Sequence, residues 1–124
     1  MLYVLPDLGV GGGQTILLRT VQAAAPIGGS HLVVALGDGP MRSVFEQAGI
    51  DTIVLGDRSP LALPGAVRRL ARLVRHRGIE VIVSFNTPTD RTAAQLAGAC
   101  TGVPVVIWFM SVAIALIQIG RAHV

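Results

Sequence analysis

A cluster of glycines near the start of the chain is the first stretch that can do chemistry. Gly9 and Gly11–Gly13 place four glycines in five positions, directly after the apolar run 2–5 and before a helical pattern. Glycines let a ligand approach the main chain closely, and the first N–H groups of a helix attract anions. The sequence therefore predicts a loop that receives a phosphate or a sugar. The alternative is that the glycines only permit a tight strand-to-helix turn.

Two common phosphate-binding motifs do not fit this loop. A P-loop requires Gly-Lys-Ser/Thr, whereas this chain has Gly13-Gln14-Thr15 and contains no lysine. A dinucleotide fingerprint requires G-x-G-x-x-G and an acidic residue at the end of the second strand. Gly9-Val10-Gly11 begins that pattern, but Gln14 replaces the third glycine and Asp38 lies beyond Gly37. The sequence thus excludes a P-loop nucleotidase and disfavours NAD binding.

Other catalytic patterns are also missing from the sequence. The three histidines and Cys100 are scattered without the spacing of metal ligands, and no G-x-S-x-G motif occurs. We therefore predict no metal site and no serine-hydrolase chemistry, and no catalytic residue can be named. A single cysteine excludes an internal disulfide, and its Ala-rich surroundings predict that Cys100 is buried.

The elements that position the loop alternate regularly along the chain. Because the strands are continuously apolar, both of their faces should be covered by helices. The pattern predicts an α/β fold with a doubly wound, Rossmann-like parallel sheet of about five strands. Ligands bind such a sheet beyond the carboxyl ends of its strands, where the glycine loop and the 37–40 and 86–90 turns fall. The predicted strands are 2–5, 31–36, 51–55, 80–85 and 103–109, and the predicted helices are 13–25, 40–48, 60–77 and 90–100.

Composition narrows the class of protein further. The chain has 124 residues, of which 52% are hydrophobic and 14% charged, so one ordered domain is expected. The net charge of +3 is modest, and the five aromatic residues lie in or beside apolar runs. Nucleic-acid binding needs a concentrated basic face with aromatic residues that stack on bases, so we predict no nucleic-acid partner.

Three stretches together resemble glycosyltransferase family 4 amino-terminal domains. They are "LPDLGVGGGQTILLRTVQAA", "VVALGDGPMRSVFEQAGIDTIVL" and "GIEVIVSFNTPTDRTAAQLAGACTGVPVVIWF". The resemblance covers roughly residues 2–112 and depends on the order and spacing of the motifs. It implies one half of a two-domain GT-B-type architecture in a bacterial hexosyltransferase of glycan biosynthesis. The other half, a carboxyl-terminal donor domain with a Glu-x₇-Glu type motif, is not in this sequence.

The resemblance also implies an activity and a site. The parent enzyme would transfer a sugar from a nucleotide-sugar, a co-substrate rather than a cofactor, to a hydroxyl of a glycan or lipid-linked acceptor, without a metal. Gly11, Gly12 and Gly13 would lie under the donor's diphosphate or the reacting sugar, and Asn86, Thr87 and Asp90 would line the acceptor pocket. The alternative is a helix-capping role for Thr87, Thr89 or Asp90. Met110 stands where the family often has a histidine near the reacting sugar, so either the register differs there or that contact is missing.

Two other functions stay open from the residues. One is a stand-alone Rossmann-like module that binds a nucleotide or phosphorylated ligand, and the other is half of an NAD-dependent oxidoreductase. If the chain is instead half of a glycosyltransferase, it should be inactive alone, because transition-state binding needs the absent donor half.

The last expectations concern the end of the chain and the location of the protein in the cell. The domain is predicted to span 1–117, and 118–124 is interpreted as a tail translated from a sequencing adapter, whose final letters are IGRAHV. Residues 103–119 are uncharged, but Pro104 and the strand pattern favour a core strand over a membrane span. We predict a cytoplasmic protein. The arginines of the 60–77 helix are interpreted as a solvated face, with weak contact to the inner membrane surface as the alternative.

Overall fold

The computed structural model describes residues 1–9, 12–24, 31–56, 60–85 and 88–107. Five strands alternate with four helices, as predicted, and a short 3₁₀ turn at Pro60–Ala62 precedes the third helix. The strands are β1 (Leu2–Leu5), β2 (Leu32–Ala35), β3 (Asp51–Val54), β4 (Ile82–Ser84) and β5 (Val105–Ile107). The helices are α1 (Gly12–Ala24), α2 (Met41–Gln47), α3 (Leu63–Arg77) and α4 (Pro88–Thr101).

All described strands form one parallel sheet in the order β3-β2-β1-β4-β5. β1 lies at its centre, where Val4 pairs with Val34 of β2 on one side and with Ser84 of β4 on the other. Parallel strands require crossover connections, and the helices provide them. The predicted Rossmann-like α/β fold with a doubly wound sheet is confirmed.

Each face of the sheet carries its own layer of helices. The alternating side chains of β1 divide between them, because successive residues of a strand point to opposite faces. Tyr3 and Leu5 belong to the core under α1 and α2, which contribute Leu17, Val21, Met41 and Phe45. Leu2 and Val4 belong to the core under α3 and α4, which contribute Leu70, Val74, Ala93, Ala94 and Ala97. Burial on both faces explains why the strands are continuously apolar.

The amphipathic helix α3 has clear signals at both ends. Pro64 lies in its first turn, where the missing N–H is not needed. Gly78 caps its other end in the left-handed conformation at φ 62°, and its N–H donates to the Val74 carbonyl. The last turn contains the basic residues Arg75, His76 and Arg77. Positive charge at this end of a helix interacts favourably with the helix dipole.

The prediction for Cys100 is wrong, because this residue is exposed. The face of α4 that packs on the sheet consists of Ala93, Ala94, Ala97 and Gly98. Cys100 lies beyond them in the last turn, where its carbonyl accepts a hydrogen bond of 3.1 Å from Arg75 of α3. The predictions for Trp108, Phe109, Met110, the boundary at 117 and the 118–124 tail lie outside the described residues.

Candidate functional site

The strand order defines a crevice at the carboxyl edge of the sheet. The chain leaves β1 through α1 toward β2 on one side, whereas β4 lies on the other side of β1. Loops that diverge in this way leave a gap between them, which is where open α/β sheets bind ligands. The loop before α1 and the loop before α4 border this gap. Among the described residues of these borders, Gly12 and Gly13 begin α1 and Asp90 lies in the first turn of α4.

Three of the predicted site residues cannot be placed. Gly11, Asn86 and Thr87 lie outside the described residues. Their roles, and those of Gly12 and Gly13 as ligands of a diphosphate, stay predictions.

Asp7 holds the start of the glycine loop in place. Its Oδ1 accepts hydrogen bonds from the Gly9 N–H at 2.9 Å and from the Gln14 side-chain amide at 3.2 Å. The same amide lies 3.3 Å from the Asp7 carbonyl oxygen. Gln14, which replaces the third glycine of a dinucleotide fingerprint, therefore ties the first turn of α1 back to the end of β1. A glycine at this position could not make these bonds.

The turn after β2 lies directly against the glycine loop. A Cβ built on Gly39 would lie 2.5 Å from the Gly9 nitrogen and would also clash with the carbonyl group of Leu8. The Leu8 oxygen accepts a hydrogen bond of 2.8 Å from the Met41 N–H at the start of α2. The two loops are thus joined main chain to main chain. The sequence predicted that both loops lie at one edge of the sheet. Apart from the presence of Gly39, nothing in the sequence indicated that they touch.

Asp38 is already bonded within its own turn. Its Oδ1 accepts from the Gly39 N–H at 2.8 Å, and its Oδ2 lies 3.2 Å from Arg42 Nη1. Arg42 also contacts Glu46 at 3.1 Å, and the pKa of its guanidinium is raised by the hydrogen bonds to Glu46 and Asp38. Dinucleotide enzymes need an acidic residue near this point to bind a ribose hydroxyl. A carboxylate held by two other groups is a poor candidate for that role.

Asp90 is fully buried rather than exposed at the crevice. Its Oδ2 lies 3.2 Å from the hydroxyl of Ser84, which is also buried and lies 2.8 Å from the Phe85 carbonyl oxygen. This contact joins the first turn of α4 to the end of β4. The structure therefore shows a positioning contact for Asp90, and its binding of an acceptor stays a prediction.

A cavity of about 380 Å³ opens at the other, amino edge of the sheet. It is lined by residues such as His31, Ile50 and Asp51. The carboxyl ends of α1 and α2 lie at this edge, so helix dipoles there disfavour an anion. Asp51 is moreover bonded to Arg77 at 2.6 Å. The carboxyl edge remains the better candidate for a phosphorylated ligand.

The fold is shared with solved structures of other proteins. A glycosyltransferase from Rickettsia africae ESF-5 superposes with a TM-score of 0.73 at 13% identity, covering 87% of this chain and 29% of that one. MurG of Acinetobacter baumannii superposes with a TM-score of 0.68 at 16% identity, covering 86% and 34%. UDP-GlcNAc 2-epimerase from Methanocaldococcus jannaschii gives a TM-score of 0.59 at 12% identity, covering 98% and 36%.

These similarities define the class of fold. The chain has the Rossmann-like architecture that matches GT-B proteins, and it spans about a third of each of the three. No family model and no curated protein sequence matches the chain. No helix within the described ranges is both long and apolar enough to cross a bilayer.

Proposed function

We propose that this chain is the acceptor-side half of a nucleotide-sugar-dependent glycosyltransferase. The observation that carries the proposal is the parallel sheet whose first loop, rich in glycine, opens α1 at the crevice beside β4. The likeness to two glycosyltransferases supports it. Membership of glycosyltransferase family 4, hexosyl transfer, a bacterial source and a cytoplasmic location belong to the same proposal.

The glycine loop would act on the departing diphosphate. N–H groups at the start of a helix stabilise negative charge, and they do so most effectively where water is excluded. Gly11, Gly12 and Gly13 would supply these groups once a donor domain closes over the crevice. The bonds that Asp7 makes to Gly9 and Gln14 would keep the loop in one conformation. A preformed loop avoids part of the entropy cost of binding.

The loop before α4 would bind the hydroxyl acceptor. Asn86 and Thr87 would contact it directly, and buried Asp90 would fix the loop through Ser84. The parent protein would add a donor domain that binds the nucleotide. Without that domain the chain should not transfer sugar, because most transition-state contacts would be missing.

A nucleotide-sugar 2-epimerase half is the second candidate. The likeness to UDP-GlcNAc 2-epimerase covers nearly the whole chain, although its TM-score is lower. The two candidates differ in their need for an acceptor. In the full-length gene product, a transferase consumes a UDP-sugar only when a hydroxyl acceptor is added, whereas a 2-epimerase changes the configuration at C2 of UDP-GlcNAc without one.

The loop's role can be tested on the chain itself by amide NMR titration. We expect millimolar UDP or UDP-sugar to shift the N–H signals of Gly11, Gly12 and Gly13, with no sugar transfer. Gly12→Asp should abolish these shifts, because a carboxylate there repels the diphosphate. The variant should stay folded, since an acid in the first turn suits the helix dipole.

Gly65→Asp is the matched control, since it makes the same change in the first turn of α3, where a Cβ would meet nothing within 4 Å. It should leave the UDP shifts intact. Micromolar binding of NAD would favour the oxidoreductase half instead. Tight UDP binding without a partner domain would favour a stand-alone module, and sugar transfer by the chain alone would refute its being half of an enzyme.

A further inference from the structure

The cavity at the amino edge of the sheet combines an apolar part with polar groups at its rim. Its volume of about 380 Å³ lies within the range of pockets that bind small organic molecules. Val21 of α1 and Ile50, which precedes β3, are both buried and supply the apolar part. Gln22 and Asp51 line the same space and are exposed. A ligand with an apolar body and one polar end would match this lining.

The electrostatics of the cavity favour a positively charged ligand. Its described lining contains one acid, Asp51, and no arginine. The last turn of α1 borders the cavity, and Ala48 and Gly49, which follow α2 directly, line it as well. The carboxyl end of a helix carries partial negative charge, so both helices add to the attraction of a cation.

Asp51 keeps one carboxylate oxygen for a ligand. Arg77 of α3 donates to its Oδ2 at 2.6 Å, whereas Oδ1 accepts no hydrogen bond from any described residue. Arg77 is not among the described residues that line the cavity, so it holds the carboxylate from another side. A carboxylate has acceptor sites for more than one donor. Both side chains of the pair are half exposed, so a ligand that competes with Arg77 gives up little stability.

His31 forms a wall of the cavity that is already held in place. Its ring stacks on the buried ring of Tyr3, and its Nδ1 lies 3.2 Å from the Tyr3 hydroxyl. The contact of two rings and one polar atom fixes the orientation of the imidazole. A wall that is ordered before the ligand arrives lowers the entropy cost of binding.

We infer that this cavity binds a small organic cation, in which an ammonium group is carried on an apolar body. The ammonium donates to Asp51 Oδ1, and the body packs against Val21 and Ile50. Gln22 offers its Oε1 as a second acceptor, because its amide makes no hydrogen bond within the described part of the chain. The site lies at the edge of the sheet opposite the glycine loop, so the inference goes beyond the proposed function and does not depend on it.

Three probes of similar shape and different charge test this inference. At neutral pH, phenethylamine is a cation, phenethyl alcohol is neutral and phenylacetate is an anion. We expect the amine to bind the full chain about fivefold more tightly than the alcohol, because a partly exposed ion pair adds a factor of that order. Phenylacetate should bind least. NMR titration, followed at the Ile50 methyl groups and the His31 ring protons, measures each affinity.

Substitutions of the two partners of the ion pair should have opposite effects on binding. Asp51→Asn should weaken binding of the amine about fivefold and leave binding of the alcohol unchanged. Arg77→Gln should strengthen binding of the amine about twofold, because it removes the donor that competes for the carboxylate. A purely structural role of the pair would instead change both affinities in the same direction.

The matched control is Asp38→Asn, which changes another exposed aspartate that is paired with an arginine, at the carboxyl edge of the sheet. It should leave binding of the amine unchanged, and urea midpoints show that each variant is folded. The inference is overturned if none of the probes binds, if the amine binds no better than the alcohol or the acid, or if Asp51→Asn and Asp38→Asn lose affinity equally. None of these titrations involves UDP, so a failure here is distinct from a failure of the proposed function.

Discussion

Tyr3 shows how burial alters the chemistry of a single side chain. It is 1% exposed, and its ring stacks on His31 with centroids 6.0 Å apart. Its hydroxyl lies 3.2 Å from His31 Nδ1 and 3.3 Å from Met1 Sδ. Desolvation by burial raises the pKa of Tyr3 to about 12, because the phenolate loses its contact with water.

This shift predicts a loss of stability at alkaline pH. The folded state favours the neutral phenol, whose contribution is complete below the unfolded pKa of about 10 and is lost as the pH rises toward about 12. The loss should reach about 2 to 3 kcal/mol. Tyr3 is the single tyrosine of the chain, so absorbance at 295 nm reports it alone. Tyr3→Phe should remove the pH dependence in this range, and a folded-state pKa near 10 would show that the ring is accessible.

At the residue scale, the sequence predicted the glycine-rich loop but not the side chains that hold it in place. Gly9 and Gly11–Gly13 were enough to predict the loop, because conformational freedom is a property of glycine itself. The bonds from Asp7 to Gly9 and Gln14 depend on how two side chains meet after the turn is made. The sequence likewise left open whether Asp90 caps a helix or binds a ligand. Only its burial against Ser84 shows the contact that positions it.

At the element scale, the contact of the β2–α2 turn with the glycine loop leads to a second prediction. Gly39→Ala should destabilise the fold by about 1 to 3 kcal/mol, because its Cβ would meet the main chain of Leu8 and Gly9, which cannot move aside as a flexible side chain can. Urea unfolding at 25 °C measures the effect. The Gly9 amide signal should also move.

The control for this substitution is Gly65→Ala in α3, where a new Cβ meets nothing within 4 Å. Alanine should stabilise the helix there by about 0.5 to 1 kcal/mol, because glycine loses more backbone entropy on folding. The same chemical change is thus expected to have opposite signs at the two positions. Equal effects would mean that the loops are not in main-chain contact.

The types of the elements were predictable, whereas some details of their packing were not. Apolar runs and helical periodicity identified every described strand and helix, because both faces of the sheet are covered. The helix predicted from 60 begins instead with a 3₁₀ turn at Pro60–Ala62. Exposure of Cys100 was missed because an Ala-rich sequence does not show where a helix passes beyond the sheet beneath it.

At the scale of the whole molecule, the position of β1 predicts a pattern of hydrogen exchange. β1 is paired on both sides, whereas β3 and β5 each have one partner among the described strands. Amides open to exchange most slowly where the surrounding core is most complete. We expect the slowest exchange in Leu2–Leu5 and faster exchange in Asp51–Val54. Native-state exchange followed by NMR measures both segments at once, and the reverse order would contradict the central placement of β1.

The pairing of Leu2 with Ile82 also affects how the chain is made. β1 is translated before its neighbour β4, and β2, β3 and α3 lie between them in the chain. Contacts so distant along the chain form slowly, and an unpaired strand edge invites association with other chains. One edge of β1 therefore stays unpaired until β4 has been translated, and association with other chains is most favourable during that interval.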